Sequence, residues 1–200
     1  GLGDVYKRQS SDCTDATVLT NTSASFNIAS ASAGADVGSW INSFELEIGK
    51  TYTHIRSTIN STFTIAGYTT NSSISSSYCV TESSPNTAAS HNTAPIVDGS
   101  NSTSTADMSW VIPNEADADN GSFYGDLSSD FSTNSITKTN DSSTFYWVGT
   151  LANSYTPNIN SAPKITISFD VANQLRSQQA GADTCYMYVL PPTVSVSLTD

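Results

Sequence analysis

Cysteines are the residues here most able to form a covalent bond, and the chain has three: Cys13, Cys79 and Cys185. None belongs to a CxxC, and with only two histidines, His54 and His91, a zinc site has too few ligands. One disulfide plus one odd cysteine is the simple arrangement for a secreted chain. Cys79, in Ser77-Tyr-Cys-Val80, and Cys185, in Thr184-Cys-Tyr-Met187, both sit in strand-like text and are expected to pair. Cys13 is then free or joined to a neighbouring subunit; its pairing with either other cysteine stays open.

Four carboxylates, Glu115, Asp117, Asp119 and Asp126, crowd around Asn120-Gly121. Carboxylates at alternate positions of a turn present the oxygen ligands that calcium takes. The spacing departs from an EF-hand loop, because Asn120 stands where glycine is needed and Asp126 replaces the bidentate glutamate. A solvated acidic loop explains the same residues, so Ca2+ is a weak candidate and no other cofactor is expected. Six Asn-x-Ser/Thr sequons, at Asn21, Asn60, Asn71, Asn101, Asn120 and Asn140, are glycosylation candidates. A random order of the same residues gives about five, so their number argues nothing by itself.

Catalytic text is missing. There is no GxSxG, no HExxH, no P-loop and no GxGxxG after a strand. His54 lies in a strand pattern and His91 in polar loop text. Paired carboxylates do glycosidase chemistry without a local motif, but such enzymes need a cleft built on a larger core. The chain therefore reads as non-catalytic. Trp110, Phe123, Tyr124, Phe145, Tyr146 and Trp147 are a candidate sugar-stacking set. On the strand 144–151, Phe145 and Trp147 share one face and Tyr146 takes the other. A thin core needs its tryptophans, so core packing is favoured for them, with a carbohydrate-binding module or adhesin domain as the alternative function.

The elements that carry these residues follow from composition. Only 12% of the 200 residues are charged, about half the usual share. Thirty-five Ser, 26 Thr and 16 Asn take their place, which suits pleated strands and self-bonding turns. The net charge of -11, with seven Lys and Arg, speaks against nucleic acid and anionic membrane surfaces. No apolar run approaches a membrane span. The chain opens at Gly1 rather than Met, which reads as a processed or truncated product. Asp4-Val-Tyr-Lys-Arg-Gln9 resembles translated adapter sequence from metagenomic contigs as much as an ordinary basic tail.

Strict alternation marks the strands. Phe44, Leu46 and Ile48 share one face. So do Ile165, Ile167, Phe169 and Val171, then Cys185, Met187 and Val189, and finally Val194, Val196 and Leu198. Weaker candidates are 52–59, 62–68, 75–81, 108–112, 132–137 and 144–151. Turn text separates them at Gly49-Lys50, Gly67, 83–86, 98–101, Asn120-Gly121 and 153–160. One helix is expected over 171–180, capped by Asp170 and ended by Gly181. Residues 83–106 hold few large apolar groups and read as a long surface loop. The expected fold is all-β, a Greek-key or jelly-roll or Ig-like sandwich with at most one or two short helices.

The N-terminal stretch is the most informative. Ala16, Val18, Thr20, Thr22, Ala24, Phe26 and Ile28 occupy one face of a continuous alternation, with polar residues opposite except at Leu19. As a single strand it would span roughly 44 Å, longer than most strands of globular domains. Such a strand can leave its own domain and complete the sheet of another subunit. A first strand within its own sandwich is the plainer reading.

This N-terminal strand, the Ser/Thr/Asn-rich β pattern and the alternating C-terminal strand together resemble pilin-type proteins that join by donor-strand complementation. The two-cysteine pattern near the start of chaperone–usher pilins is not reproduced. The resemblance implies an extracellular or cell-surface filament subunit, polymerising with identical copies and carrying no cofactor. It divides the chain into an N-terminal tail over 1–15, a donor strand over 16–29 and a β-sandwich over 30–200.

Overall fold

The computed structural model describes residues 4–6, 16–28, 35, 37–38, 41, 44–70, 77–83, 92–98, 105–114 and 131–200. The protein is mostly β, with a single helical turn, at 131–133, among the described residues. Most strand pairs among the described residues are antiparallel, and those strands make three sheets.

The largest sheet is built on two long neighbours. β3 (Tyr52–Asn60) runs antiparallel to β10 (Thr144–Tyr155). Threonine, isoleucine and aromatic residues dominate both, as a pleated half-buried surface favours. In β10, Phe145, Trp147, Gly149 and Leu151 face inward while Tyr146 and Thr150 face out. The β3–β10 register slips between Thr150 and Tyr155, so the strand runs on into 153–155, where turn text is expected. On its other edge β10 meets β9 (Ile136–Thr137) at Tyr146 and Trp147. Farther along the same edge, Leu151 pairs in parallel with Val196 of β14 (Thr193–Thr199). β11 (Lys164–Asp170) closes this side by pairing with β14 over its whole length. On the far side of β3 stand β1 (Asp4–Tyr6) and then β2 (Ala16–Thr17).

The second sheet has the order β12 (Leu175–Gln179), β13 (Thr184–Val189), β7 (Asn92–Asp98), β6 (Ser77–Val80), β5 (Tyr68–Thr70). Its outer strands meet through the hydroxyls of Thr69 and Ser177, which makes it nearly closed and barrel-like. The third sheet is the pair β4 (Thr62–Ile65) and β8 (Met108–Val111).

Three apolar clusters hold the sheets together. Tyr52, Ile55, Trp147, Leu151, Tyr155, Val196 and Leu198 pack with Leu46 under the largest sheet. Met108 and Met187, both with no exposed surface, pack with Ala94 and the two cysteines in the second sheet. Trp110, Ile112, Phe131 and Phe145 form the third cluster, which Phe63, Tyr188 and Val189 join. That cluster is the junction, because its members come from all three sheets.

Several expectations are corrected. The helix over 171–180 is a turn followed by β12. Asp170 Oδ1 accepts from Ala172 N at 3.0 Å, and Asn173 takes a left-handed φ of 56°, closing a turn where a helix would start. Leu175 then packs against the second cluster. The stretch 83–106 contains β7, a central strand. Residues 44–48 alternate but form no strand. A turn closed by Lys50 N to Glu47 O at 3.2 Å, with Gly49 at φ 77°, carries Ile48 out to 59% exposure. Of 132–137, only Ile136–Thr137 is strand. The expected N-terminal tail supplies β1, placed between β3 and β2.

Candidate assembly surface

The covalent frame comes first. Cys79 of β6 and Cys185 of β13 form a disulfide, with Cα atoms 6.1 Å apart and a sequence separation of 106. Both side chains are fully buried. β7 lies between their strands: Cys79 stands opposite Ile96 and Cys185 opposite Ala94. The bond therefore crosses over a central strand and ties its two neighbours together. Pro95, between those register positions, lacks a backbone donor; the strand changes its paired neighbour there, with β13 paired up to Pro95 and β6 from Ile96 onward. Cys13 lies outside the described residues.

Beyond Thr17, residues 18–28 belong to no strand of their own chain. The single strand over 16–28 is thus reduced to Ala16–Thr17 within this chain. The alternation survives in part. Ala24, Phe26 and Ile28 are half-buried, and Ser25 and Asn27 are exposed. At the start the order inverts: Val18 is 53% exposed, while Leu19 packs against the first cluster. Thr20 Oγ1 bonds the Thr22 hydroxyl at 2.8 Å and accepts from Thr22 N at 3.1 Å, a local bond that competes with ladder formation. The Phe26 ring lies over Gly38, where a Cβ would come within 2.8 Å of it.

The opposite end of the same sheet presents β11. Its residues Ile165, Ile167 and Phe169 are half-buried, and the four between and beside them are exposed. Its charges, Lys164 and Asp170, stand only at its two ends, and no proline or glycine interrupts it. Natural edge strands are usually blunted by internal charge, proline, bulges or shortness; β11 has none of these.

No protein-family profile, curated protein or solved structure matches the chain. The reading of this surface therefore rests on its own chemistry.

Other candidates fall as follows. Glu115, Asp117, Asp119 and Asp126 lie outside the described residues, as do Phe123, Tyr124, His91, Asn71, Asn101 and Asn120. Among the described residues no group of three His, Cys, Asp or Glu side chains is placed to hold a metal. Asn21, Asn60 and Asn140 are exposed. Trp110, Phe145 and Trp147 point into the core, 4–6% exposed. Tyr146 is 41% exposed, with the Arg56 guanidinium 4.6 Å from its ring centre, so a cation already stacks where a sugar would. His54 Nδ1 bonds the Thr53 hydroxyl at 2.8 Å. No helix among the described residues is long and apolar enough to cross a membrane.

Sequence reasoning missed the bareness of the β11 edge. The signal was present in Lys164-Ile-Thr-Ile-Ser-Phe-Asp170, whose charges sit only at the ends, but its position in the sheet was not.

Proposed function

We propose that this chain is a non-catalytic structural subunit of an extracellular filament, assembled from identical copies by β-strand exchange. Residues 16–28 of one copy are the donor, and β11 of the next is the acceptor. The observation that carries the reading is the outer edge of β11, seven residues long and paired by no strand among the described residues, in a chain that also holds an alternating segment, 18–28, outside its own strands. In the second sheet the outer strands β5 and β12 lean together through the Thr69 and Ser177 hydroxyls, and both are shorter than β11. Backbone hydrogen bonds along β11 would supply affinity, and alternate donor side chains the register. The disulfide suits an oxidising, extracellular setting, and the acidic surface keeps free subunits soluble. Within each subunit the sheets are expected to close as a sandwich around the junction cluster.

The test is imaging plus mutation. Native material should show fibres with a regular axial repeat by negative stain. Removing residues 1–29 should abolish them and leave a soluble domain that binds a synthetic 16–28 peptide. Because that deletion also strips β1 from β3, the double variant Phe26→Asp/Ile28→Asp is the sharper probe. It should fold as the parent does yet fail to polymerise. Fibres of unchanged length from either protein would refute strand exchange.

A further inference from the structure

A lysine, an asparagine and an aspartate meet just before β10. Lys138 follows β9 and is 9% exposed. Asn114 follows β8, after the buried Ile112 and Pro113. Asp141 sits in the turn closed by Ser142 N to Thr139 O at 3.1 Å, and holds a left-handed φ of 59°. That backbone conformation is uncommon outside glycine, and it aims the Asp141 N–H at the Asn114 side chain.

The Asn114 carboxamide is gripped at both ends. Its Oδ1 accepts from Lys138 Nζ at 2.8 Å and from Asp141 N at 2.8 Å. Its Nδ2 donates to Asp141 Oδ1 at 2.9 Å. An amine therefore touches an amide whose oxygen is polarised by a fixed backbone donor and whose nitrogen is bound to a carboxylate. These are the parts of an acyl transfer: a nucleophile, donors for the developing oxyanion, and an acid for the leaving group.

We propose that Lys138 and Asn114 join in a spontaneous intramolecular isopeptide bond, with Asp141 as the proton shuttle. Water relays one proton from the Lys138 ammonium to the Asp141 carboxylate, which bonds the other end of the Asn114 amide. The neutral Nζ then attacks Asn114 Cγ, and the tetrahedral oxyanion is held by the Asp141 N–H. Asp141 returns its proton to Nδ2, the Cγ–Nδ2 bond breaks, and ammonia leaves carrying the further proton lost by Nζ. Overall, one ammonium side chain and one carboxamide become one amide and one ammonium ion. Nothing is oxidised or reduced, and no cofactor is needed. The bond would fasten the segment after β8 to the turn before β10. It rests on side-chain geometry alone and stands whether or not the subunits polymerise.

Intact mass under denaturing, reducing conditions is the test. The purified protein should weigh less than its sequence by one ammonia, and peptide mapping should find Asn114 joined to Lys138. Lys138→Arg and Asn114→Ala should each show their full sequence mass. Asp141→Ala keeps both reactants and should slow bond formation by about 10²-fold or more, read as linked fraction against time. A parent protein at full sequence mass after prolonged incubation would overturn the proposal. So would an ammonia loss confined to one peptide, such as that around Asn120-Gly121. Equal rates of linkage in the parent and in Asp141→Ala would remove the shuttle.

Discussion

Replacing both bridged cysteines, as Cys79→Ala/Cys185→Ala, tests whether the disulfide is the main staple of a thinly cored chain. The bridge closes a loop with 106 residues of sequence separation. The chain-entropy relation puts the lost constraint on the unfolded state at about 4–5 kcal/mol for a loop of that length. Both sulfurs are fully buried beside Met108 and Met187, and removing them adds on the order of 1 kcal/mol of lost packing. With a urea dependence of about 2 kcal/mol per molar, the unfolding midpoint should fall by roughly 2–3 M. Trp110 and Trp147 are buried in two different clusters, so their fluorescence follows the transition. Thermal midpoints should fall by about 10–20 °C. A midpoint shift below about 0.5 M would refute the reasoning. It would mean that β7, which the bond straddles, holds β6 and β13 together without it.

Two further outcomes follow from local geometry. A Cβ at Gly149 would collide with Trp147 Cη2 and lie 2.7 Å from Cζ2, because the indole folds over its neighbour on the same face of β10. Gly149→Ala should therefore cost about 1–3 kcal/mol in chemical unfolding, and Trp147→Leu/Gly149→Ala should recover part of it; strict additivity would show that the two do not touch. Tyr155 donates to Asp200 Oδ1 at 2.5 Å, and burial, then that hydrogen bond, raises its pKa above the usual tyrosine value. A raised folded value means that its contribution is fully present below about pH 10 and is lost as pH climbs through the folded pKa. The parent should lose stability in that alkaline range and Tyr155→Phe should lose less; identical pH profiles would contradict the assignment.

What the sequence disclosed was chiefly faces. The alternations of β11, β13 and β14 are where the pattern puts them, except that Val171 falls beyond β11 and is exposed, and the inward turn of Phe145 and Trp147 against Tyr146 is also as read. The disulfide was legible because both cysteines sit in strand text. What remained hidden were elements whose pairing overrides their composition. β7 reads Asn92-Thr-Ala-Pro-Ile-Val-Asp98, with few large apolar residues and a proline, which normally argues against a central strand. It is central because two neighbours share the pairing on either side of Pro95. β12 carries helix-forming Leu, Arg and Gln, but Asn173 turns the chain and β13 supplies a ladder, so tertiary pairing wins over a weak propensity. The β9 region was overread, since Ser135 at φ 57° leaves only two residues to pair.

Two segments alternate without forming strands in their own chain, and the contrast between them bears on assembly. Residues 44–48 are committed locally. Leu46 is buried in the first cluster, and the turn that follows is pinned by Gly49 N to Pro157 O at 3.0 Å. Pairing them with another molecule would cost that packing. Residues 18–28 have much less to lose: Asn21, Thr22 and Ser23 are exposed, and Ala24, Phe26 and Ile28 only half-buried. Releasing them from their own domain forfeits little apolar burial, whereas a ladder along β11 gains backbone bonds for every second donor residue. The Leu19 contact is the exception. Leu19→Ser should loosen the segment from its own core and speed polymerisation, measured by light scattering. If polymerisation slows instead, Leu19 anchors the donor in the assembled form, and the exchanged strand begins closer to the first core than residues 24–28 suggest.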